Sequence, residues 1–387
     1  MNLKKIKVPS SDSIKKLLST DVSSLKNVKK IPKALKLDLN SMPKNTKNVI
    51  SLDIGTEKIK IVLGRFSKGR VIIEKAFMVD TPEGALGDGT IINSMNLAKT
   101  IEGVLSIEQI KVKEVNCTTN STAIINREIV VPAAAVDELD TLVKYEIQQY
   151  LPINMDDYIV QYNVLEEVKN DNILKYRVLV VTYPHKMAKQ YYELINNCKL
   201  KPNILDVTYN SIKKLAGSMQ SINEREYNLG DTTAFIDMGA ANLNVNIYNG
   251  NKMEFTRIIK SGGSIIDREI SKSYGIPMEE AEKRKIEQCN FGYDEINSVI
   301  RSVVDEWVEE LNRIIQFYKN KKVGNKLDKI YIYGGSSNLS GISEYLSSKL
   351  GLKVEKIENS GNIEFRNAAV TSDLNRYLNA IGAIIRL

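Results

Sequence analysis

The sequence predicts an α/β fold made of two related halves. An apolar strand enters a polar, glycine-containing turn over residues 49–56, and a returning strand follows at residues 60–64. The same strand–turn pattern recurs about 180 residues later, over residues 233–240. A third apolar strand runs into a glycine pair over residues 330–337. Because the pattern repeats in this order, we expect two halves whose turns meet at one site.

Composition and hydropathy indicate a globular protein of several domains. The chain has 387 residues, of which 43% are hydrophobic and 26% are charged. These values are typical of a soluble chain with roughly two or three domains. No apolar run approaches the ~18 residues of a membrane-spanning helix, and the N-terminus lacks the apolar segment of a signal peptide. We therefore expect a cytoplasmic protein.

The cysteine and histidine content argues against several kinds of site. Cys117, Cys198 and Cys289 stand singly, without a CxxC pair. This spacing disfavours both a disulfide framework and a zinc site. The single histidine, His185, disfavours a histidine-dependent catalytic triad.

The positive charge of the chain is confined to an N-terminal tail. The net charge is +7, but residues 1–47 hold twelve lysines and three aspartates. The tail therefore carries +9, which leaves −2 for the rest of the chain. A near-neutral body argues against nucleic acid as a partner.

The tail also has a helical pattern of apolar residues flanked by lysines. These residues recur at steps of mostly three or four: Ile14, Leu17, Leu18, Val22, Leu25 and Val28. Two interpretations remain open. The tail is either a solvated linker or a basic amphipathic helix that lies on an anionic membrane or in a partner's groove.

The two turns have the chemistry of a polyphosphate site. In Asp53-Ile54-Gly55-Thr56, glycine lets the backbone approach an anion, and aspartate can hold Mg²⁺ through water. Asp237-Met238-Gly239 repeats this chemistry in the second hairpin. The glycines at 334 and 335 would let the backbone pack flat against a base or ribose. The sequence therefore predicts two halves that face one nucleotide.

This set of motifs resembles the actin-like ATPase superfamily, whose fold is two-lobed and ribonuclease H-like. Ser261-Gly262-Gly263 with Asp267, and Glu282 with Lys285, are similar to further elements of that superfamily. The resemblance implies ATP and Mg²⁺ as ligands, with Asp53 and Asp237 on the metal. It implies that these residues contact the nucleotide: Asp53, Gly55, Thr56, Lys58, Asp237, Gly239, Ala240, Asn242, Gly262, Gly263, Glu282, Lys285, Gly334, Gly335 and Ser336.

Within the superfamily the chain most resembles the PilM family of type IV pilus assembly proteins, over about residues 48–387. A helix over residues 137–150 ends in Tyr150-Leu151-Pro152, as in that family. Residues 124–198 read as strand, helix, strand, strand, helix, which is the order of the subdomain that FtsA and PilM carry in place of actin's second one. The implied domains are a basic tail at 1–47, a first lobe at 48–120, 201–230 and 366–387, an inserted subdomain at 121–200, and a second lobe at 231–365.

The resemblance implies a scaffold with at most slow ATP hydrolysis. Relatives place hydroxyl residues after the second aspartate motif, whereas this chain has Ala240, Ala241, Asn242 and Asn244. Asp206, near the connecting helix, is the implied catalytic residue. A general base must lie close to the attacking water, and only Asp206 offers one.

The implied partner is the cytoplasmic N-terminal peptide of an inner-membrane PilN-like protein, with other pilus assembly proteins as further partners. We expect an extended peptide to pair with a strand such as residues 124–131. The implied location is the inner face of the cytoplasmic membrane, where the tail would meet anionic lipid. Two alternatives are an FtsA-like division protein that forms filaments and a small-molecule kinase of the same fold.

Overall fold

The computed structural model describes residues 47–151, 154–170, 173–291, 298–366 and 373–386. The apolar pattern predicted in the tail lies outside the described residues, and so does Pro152.

The strands are numbered along the chain and include several very short ones. They are β1 (Val49–Ile54), β2 (Lys58–Ser67), β3 (Arg70–Asp80), β4 (Leu86–Gly87), β5 (Thr90–Ile91), β6 (Glu114–Thr119), β7 (Ile125–Pro132), β8 (Tyr158–Asn170), β9 (Ile173–Pro184), β10 (Lys201–Val207), β11 (Ser221–Ile222), β12 (Arg225–Glu226), β13 (Thr232–Met238), β14 (Leu243–Asn249), β15 (Lys252–Ile259), β16 (Lys329–Tyr333), β17 (Val354–Lys356) and β18 (Ile363–Phe365). The helices are α1 (Ser94–Ile107), α2 (Val136–Tyr150), α3 (His185–Asn197), α4 (Thr208–Ser218), α5 (Gly263–Tyr274), α6 (Met278–Gln288), α7 (Ser298–Lys321), α8 (Ile342–Leu350) and α9 (Leu374–Ile384).

The described residues form two compact units. The larger unit contains those up to residue 81, residues 111–118 and those from residue 206 onward. The smaller unit contains residues 82–110 and 119–205. The domain boundaries expected from the sequence stay a prediction.

The first sheet of the larger unit is built on the β1–β2 hairpin. Five of its strands are hydrogen-bonded in the order β18–β3–β2–β1–β6. β2 is antiparallel to both β1 and β3, whereas β6 is parallel to β1. Every residue of β1 is buried, as expected for a strand in the middle of a sheet. The C-terminal helix α9 packs against β1, β2 and α4.

The second sheet of the larger unit repeats the first. Its strands run β15–β14–β13–β16–β17, and β14 is antiparallel to both β13 and β15, whereas β16 is parallel to β13. The strand that ends in each aspartate motif therefore has an antiparallel hairpin partner on one side and a parallel strand on the other. This repeat confirms the two related halves predicted from the sequence.

Helix α7 supplies much of the core beneath the second sheet. Its apolar residues recur at helical spacing and face the sheet together with residues of α5 and α8. The buried set includes Ile300, Val303, Trp307, Leu311, Ile314, Ile315 and Tyr318. The Trp307 Nε1–H donates to the Ser261 hydroxyl at 2.7 Å, so this helix also holds the loop that precedes α5.

The smaller unit contains the strand–helix–strand–strand–helix order expected between residues 124 and 198. β7, β9 and β8 form an antiparallel sheet in that order. Apolar residues of β7 and β9 pack against α2, and α3 follows β9 directly. The core of this packing contains Ile129, Val131, Leu139, Val143, Ile147, Val178 and Val180.

Candidate functional site

The first hairpin presents Asp53 next to a tight turn. Asp53 is buried near the end of β1 and lies opposite Lys60 of β2. The Gly55 N–H donates to the Lys58 carbonyl at 3.1 Å, and the Thr81 hydroxyl donates to the Gly55 carbonyl at 2.7 Å. A Cβ at Gly55 would lie 3.0 Å from the Lys58 carbonyl oxygen. The turn therefore favours glycine because the backbone approaches itself so closely.

The cation beside Asp53 is Lys60, a residue that sequence reasoning missed. The Lys60 Nζ lies 3.4 Å from Asp53 Oδ2, whereas Lys58, which the resemblance assigns to the nucleotide, pairs with the exposed Asp80 of β3. The antiparallel register explains the difference, because it sets Lys60 opposite Asp53 and Lys58 opposite Asp80. Counting outward from the turn would have found Lys60.

The second hairpin presents Asp237 in the corresponding position. Asp237 lies near the end of β13, opposite Asn244 of β14, so in both hairpins the facing residue is seven positions further along the chain. The Gly239 N–H donates to the Asn242 carbonyl at 3.0 Å and closes the turn. The Asp237 Oδ2 accepts hydrogen bonds from the amides of Asn379, at 2.8 Å, and Asn244, at 3.5 Å.

Electrostatics indicate that the two aspartates share one site. Burial, and then the negative charge of Asp53, raise the pKa of Asp237 to about 6. Lys60 and the amides of Asn379 and Asn244 act in the opposite direction. The hairpins of the two halves therefore bring Asp53, Asp237 and Lys60 within electrostatic reach of one another.

The third glycine motif packs directly on Asp237. Gly334 follows β16 with φ of 91°, a left-handed conformation that favours glycine. A Cβ at Gly334 would lie 2.5 Å from Asp237 Oδ1. A Cβ at Gly335, in contrast, would meet no heavy atom of the described chain within 4 Å. The loop therefore touches the carboxylate through Gly334 and leaves open space beside Gly335.

The glycine pair before α5 closes around the second turn. The Gly263 N–H donates to the Gly239 carbonyl at 3.1 Å, and the Ser264 N–H donates to the Ala240 carbonyl at 2.9 Å. The Ser336 hydroxyl also donates to the Gly239 carbonyl, at 3.3 Å. A Cβ at Gly262 would lie 2.4 Å from the Ala240 carbonyl oxygen. The three glycine motifs of the second half therefore form one continuous cluster.

The predicted Glu282 and Lys285 occupy different environments on α6. The Lys285 Nζ lies 2.6 Å from Asp267 Oδ2 and 3.5 Å from the Gly263 carbonyl, whereas Glu282 is exposed. Burial raises the pKa of Asp267, and the Lys285 ammonium opposes that shift. Lys285 therefore adjoins the glycine cluster as an ion pair with Asp267.

The Asp206 carboxylate accepts hydrogen bonds and forms an ion pair near the start of α4. Its Oδ1 accepts from the Val207 N–H at 2.8 Å and from the Asn210 amide at 2.9 Å. Its Oδ2 lies 2.7 Å from the Lys214 Nζ and accepts from the Ser211 hydroxyl at 3.3 Å. Both oxygens therefore stabilise the helix start, and the catalytic role of Asp206 stays a prediction.

Two further observations bear on ligands and membranes. Among the described side chains, no group of three or more His, Cys, Asp or Glu residues is arranged to hold a metal ion. None of the described helices combines the length and apolar character needed to cross a membrane.

Solved structures with a similar chain trace confirm the actin-like fold. The chain matches a structure described as the PilM-PilN type IV pilus biogenesis complex with a TM-score of 0.76 and 20% identity. This match covers 87% of the chain and 98% of the other chain. The ethanolamine utilization protein EutJ from Carboxydothermus hydrogenoformans matches with a TM-score of 0.53 and 15% identity, over 88% of the chain and 90% of EutJ. At these identities the likeness establishes the fold alone.

Curated relatives belong to the FtsA proteins and match over part of their length. The cell division protein FtsA of Neisseria meningitidis serogroup B is 28% identical over 142 residues, which is 36% of the chain and 33% of that protein. The FtsA of Buchnera aphidicola subsp. Acyrthosiphon pisum is 22% identical over 214 residues, which is 48% of the chain and 50% of that protein. The chain therefore spans half or less of these relatives.

A family match covers almost all of the described structure. The family described as type IV pilus assembly protein PilM matches residues 51–386. This range contains both aspartate motifs, the glycine cluster, the smaller unit and α9. The chain therefore belongs to the PilM family of type IV pilus assembly proteins.

Proposed function

We propose that this protein is an ATP-binding actin-like scaffold of type IV pilus assembly. The observation that carries the proposal is the convergence of Asp53 and Asp237 from two separate hairpins, with Lys60 beside them. Two carboxylates and a cation at paired glycine turns suit a metal-bound polyphosphate. Gly334 adds a backbone surface against Asp237, next to open space for the rest of a nucleotide.

The residues fit Mg²⁺ together with ATP. Mg²⁺ usually keeps several waters and takes one or two carboxylates in sites that bind phosphates, so Asp53 and Asp237 would hold it. When bound, the cation would neutralise part of the phosphate charge. The repulsion between the two carboxylates contributes to the raised pKa of Asp237, and a cation between them would relieve it.

The remaining predicted contacts divide between the two ends of the nucleotide. Gly55, Thr56, Gly239, Ala240 and Asn242 belong to the turns that would meet the phosphates. The nucleoside end is assigned to Gly262, Gly263, Glu282, Lys285, Gly334, Gly335 and Ser336. Lys58 stays in the phosphate set as a prediction, and Lys60 joins it because it lies beside Asp53.

Hydrolysis would be slow in this arrangement. The Asp206 carboxylate already accepts hydrogen bonds at both oxygens and pairs with Lys214. A base held in this way is poorly placed to take a proton from water. We therefore assign the site to nucleotide binding rather than to rapid turnover.

The proposed partner is a PilN-type peptide, because the matching solved structure is a PilM-PilN complex. In the smaller unit, β7 lies at an edge of its sheet. An edge strand can pair with an extended peptide through main-chain hydrogen bonds. The two charged residues of β7 already have partners. Arg127 lies over the Tyr150 ring at 4.6 Å, and Glu128 pairs with Arg177 at 3.2 Å.

The proposed location is the cytoplasmic face of the inner membrane. The tail of residues 1–47 carries +9, and each lysine near an anionic surface contributes about 1 kcal/mol. The tail would therefore hold the scaffold close to its membrane-anchored partner.

The test of nucleotide binding is a titration with a fluorescent ATP analogue in the presence of Mg²⁺. We expect Asp53→Ala to weaken binding roughly 10- to 100-fold, because a charged or metal-linked contact is worth about 1.5–3 kcal/mol. Asp80→Ala is the matched control, since it removes an exposed carboxylate from β3, which lies in the same sheet as Asp53. Equal affinity for both variants and the wild type would overturn the proposed site.

A further inference from the structure

Two buried asparagines lie one turn apart on the C-terminal helix α9. Asn375 is 4% exposed and Asn379 is 5% exposed. Asparagine is a poor helix former, and a buried amide is costly unless it is hydrogen-bonded. The hydrogen-bond partners of these two side chains therefore indicate why asparagine occupies both positions.

Asn379 holds the carboxylate of Asp237. Its Nδ2 donates to Asp237 Oδ2 at 2.8 Å, and its Oδ1 accepts from the Tyr333 hydroxyl at 3.0 Å. Tyr333 therefore keeps the Asn379 amide turned with its N–H toward Asp237.

Asn375 holds the glycine loop on the other side of the same carboxylate. Its side-chain Nδ2 donates to the Ser337 hydroxyl at 2.8 Å and to the Gly334 carbonyl at 3.3 Å, and its backbone carbonyl accepts from the Gly334 N–H at 3.0 Å. Gly334 in turn packs against Asp237 Oδ1. Asp237 therefore lies between the Asn379 amide and the Gly334 loop, which Asn375 holds.

The same helix is anchored to the sheet that carries Asp53. The Ser51 hydroxyl donates to the Ala380 carbonyl at 2.6 Å, and the Asn116 amide donates to the Ala383 carbonyl at 2.8 Å. Gly382 packs against Ser211 of α4 so closely that a Cβ would lie 2.2 Å from its carbonyl oxygen. One face of α9 thus belongs to the first half, and its two asparagines reach the second.

We propose that Asn379 and Asn375 are positioning residues of the nucleotide site. Asn379 sets the Asp237 carboxylate for the metal–phosphate end, and Asn375 sets the Gly334 loop for the nucleoside end. This inference rests on the proposed function. It adds that one helix, α9, positions both ends of the site. Asn379 should therefore affect the Mg²⁺-dependent part of the binding free energy, and Asn375 the part that comes from the nucleoside.

The test compares nucleotide affinity with and without Mg²⁺. In Asn379→Leu we expect the Mg²⁺ concentration needed for half-maximal binding of a fluorescent ATP analogue to rise at least tenfold. The affinity measured in EDTA should change less than twofold, because only the carboxylate is misplaced. Tyr333→Phe should shift the Mg²⁺ requirement in the same direction by a smaller factor, since the amide then turns more freely. Asn375→Leu should weaken binding by a similar factor with and without Mg²⁺.

The matched control is Asn116→Leu, which removes a buried amide hydrogen bond to the same helix away from the site. It should lower thermal stability and leave the Mg²⁺ requirement unchanged. If Asn379→Leu does not fold, Tyr333→Phe carries the test alone. An unchanged Mg²⁺ requirement in the folded variant would overturn the inference while the proposed function stands. A wild-type protein that does not bind the analogue would overturn the proposed function itself.

Discussion

The Asp237 carboxylate is held in a place that disfavours its charge. It is partly buried, lies within reach of the Asp53 charge, and contacts the backbone at Gly334. The amides of Asn379 and Asn244 and the ammonium of Lys60 offset only part of that cost. Residues that bind charged ligands are often kept at some cost to stability, because the ligand supplies the missing partner.

This leads to a pH-dependent prediction for Asp237→Asn. In the folded protein the pKa of Asp237 is raised from its ordinary 3.8 to about 6, so folding favours the protonated form. That contribution is fully present below about pH 4 and is lost as the pH rises through about 6. Without nucleotide, we expect the variant to exceed the wild type in free energy of unfolding by about 1–2 kcal/mol at pH 7.

Urea unfolding at two pH values measures this effect. The advantage of Asp237→Asn should shrink steadily as the pH is lowered from 7 and approach zero below about pH 4, where the wild-type side chain is protonated in the folded state and largely so in the unfolded state. Asp80→Asn is the control, because Asp80 is exposed and paired with Lys58. A difference between Asp237→Asn and the wild type that is the same at both pH values would contradict the electrostatic explanation.

At the scale of elements, the loop between β16 and α8 combines two glycines with different tasks. Gly334 has φ of 91° and has no room for a Cβ beside Asp237, whereas a Cβ at Gly335 points into space free of described atoms. Of these adjacent glycines, Gly334 therefore meets a steric requirement of the fold, whereas nothing in the described chain requires glycine at 335 on steric grounds.

We predict that Gly334→Ala destabilises the protein by about 2 kcal/mol or more. The left-handed backbone costs an alanine about 1–2 kcal/mol, and the contact with Asp237 adds to this. Gly335→Ala is the matched control, and we expect its free energy of unfolding to differ from the wild type by less than about 1 kcal/mol. If Gly335 lies against the nucleoside, Gly335→Ala should still weaken binding of the ATP analogue. Equal melting temperatures for the two variants would contradict the assigned strain.

At the scale of the whole molecule, charge divides the chain into a basic tail and a near-neutral body. The tail accounts for more than the entire net charge of +7. A charge confined in this way can attract the chain to an anionic surface without affecting sites in the body, since screening limits its reach to about 10 Å at ordinary salt.

We predict that deletion of residues 1–47 separates membrane association from peptide binding. Co-sedimentation with vesicles rich in anionic lipid should fall, and the loss should be greatest at low salt. Affinity for a PilN-type cytoplasmic peptide, expected in the micromolar range or tighter at about −8 kcal/mol, should stay within twofold. Vesicles of neutral lipid and a scrambled peptide are the controls.

Two outcomes would redirect the functional assignment. If the deletion abolishes peptide binding, the tail forms part of the peptide site. If the full-length chain ignores both peptide and vesicles but assembles into filaments with ATP, the FtsA-like alternative replaces the scaffold proposed here.

The sequence by itself determined the parts of this protein that depend on local pattern. The apolar strands that end at Asp53 and Asp237, the stripe of α7 and the order of elements from β7 to α3 follow from hydrophobic periodicity and turn residues, which act over a few positions. The family resemblance followed from the order of these motifs, and the match over residues 51–386 confirms it.

The tertiary structure decided which side chains meet. Lys60 adjoins Asp53 because the hairpin register sets the two residues opposite each other. Asn379 reaches Asp237 across 142 positions of sequence, and no local pattern marks such a contact. The ion pair between Asp206 and Lys214 likewise depends on the folded structure and is not marked by a local sequence pattern. Periodicity reports which face of an element is buried, whereas the partner on that face depends on packing between elements that are distant in sequence.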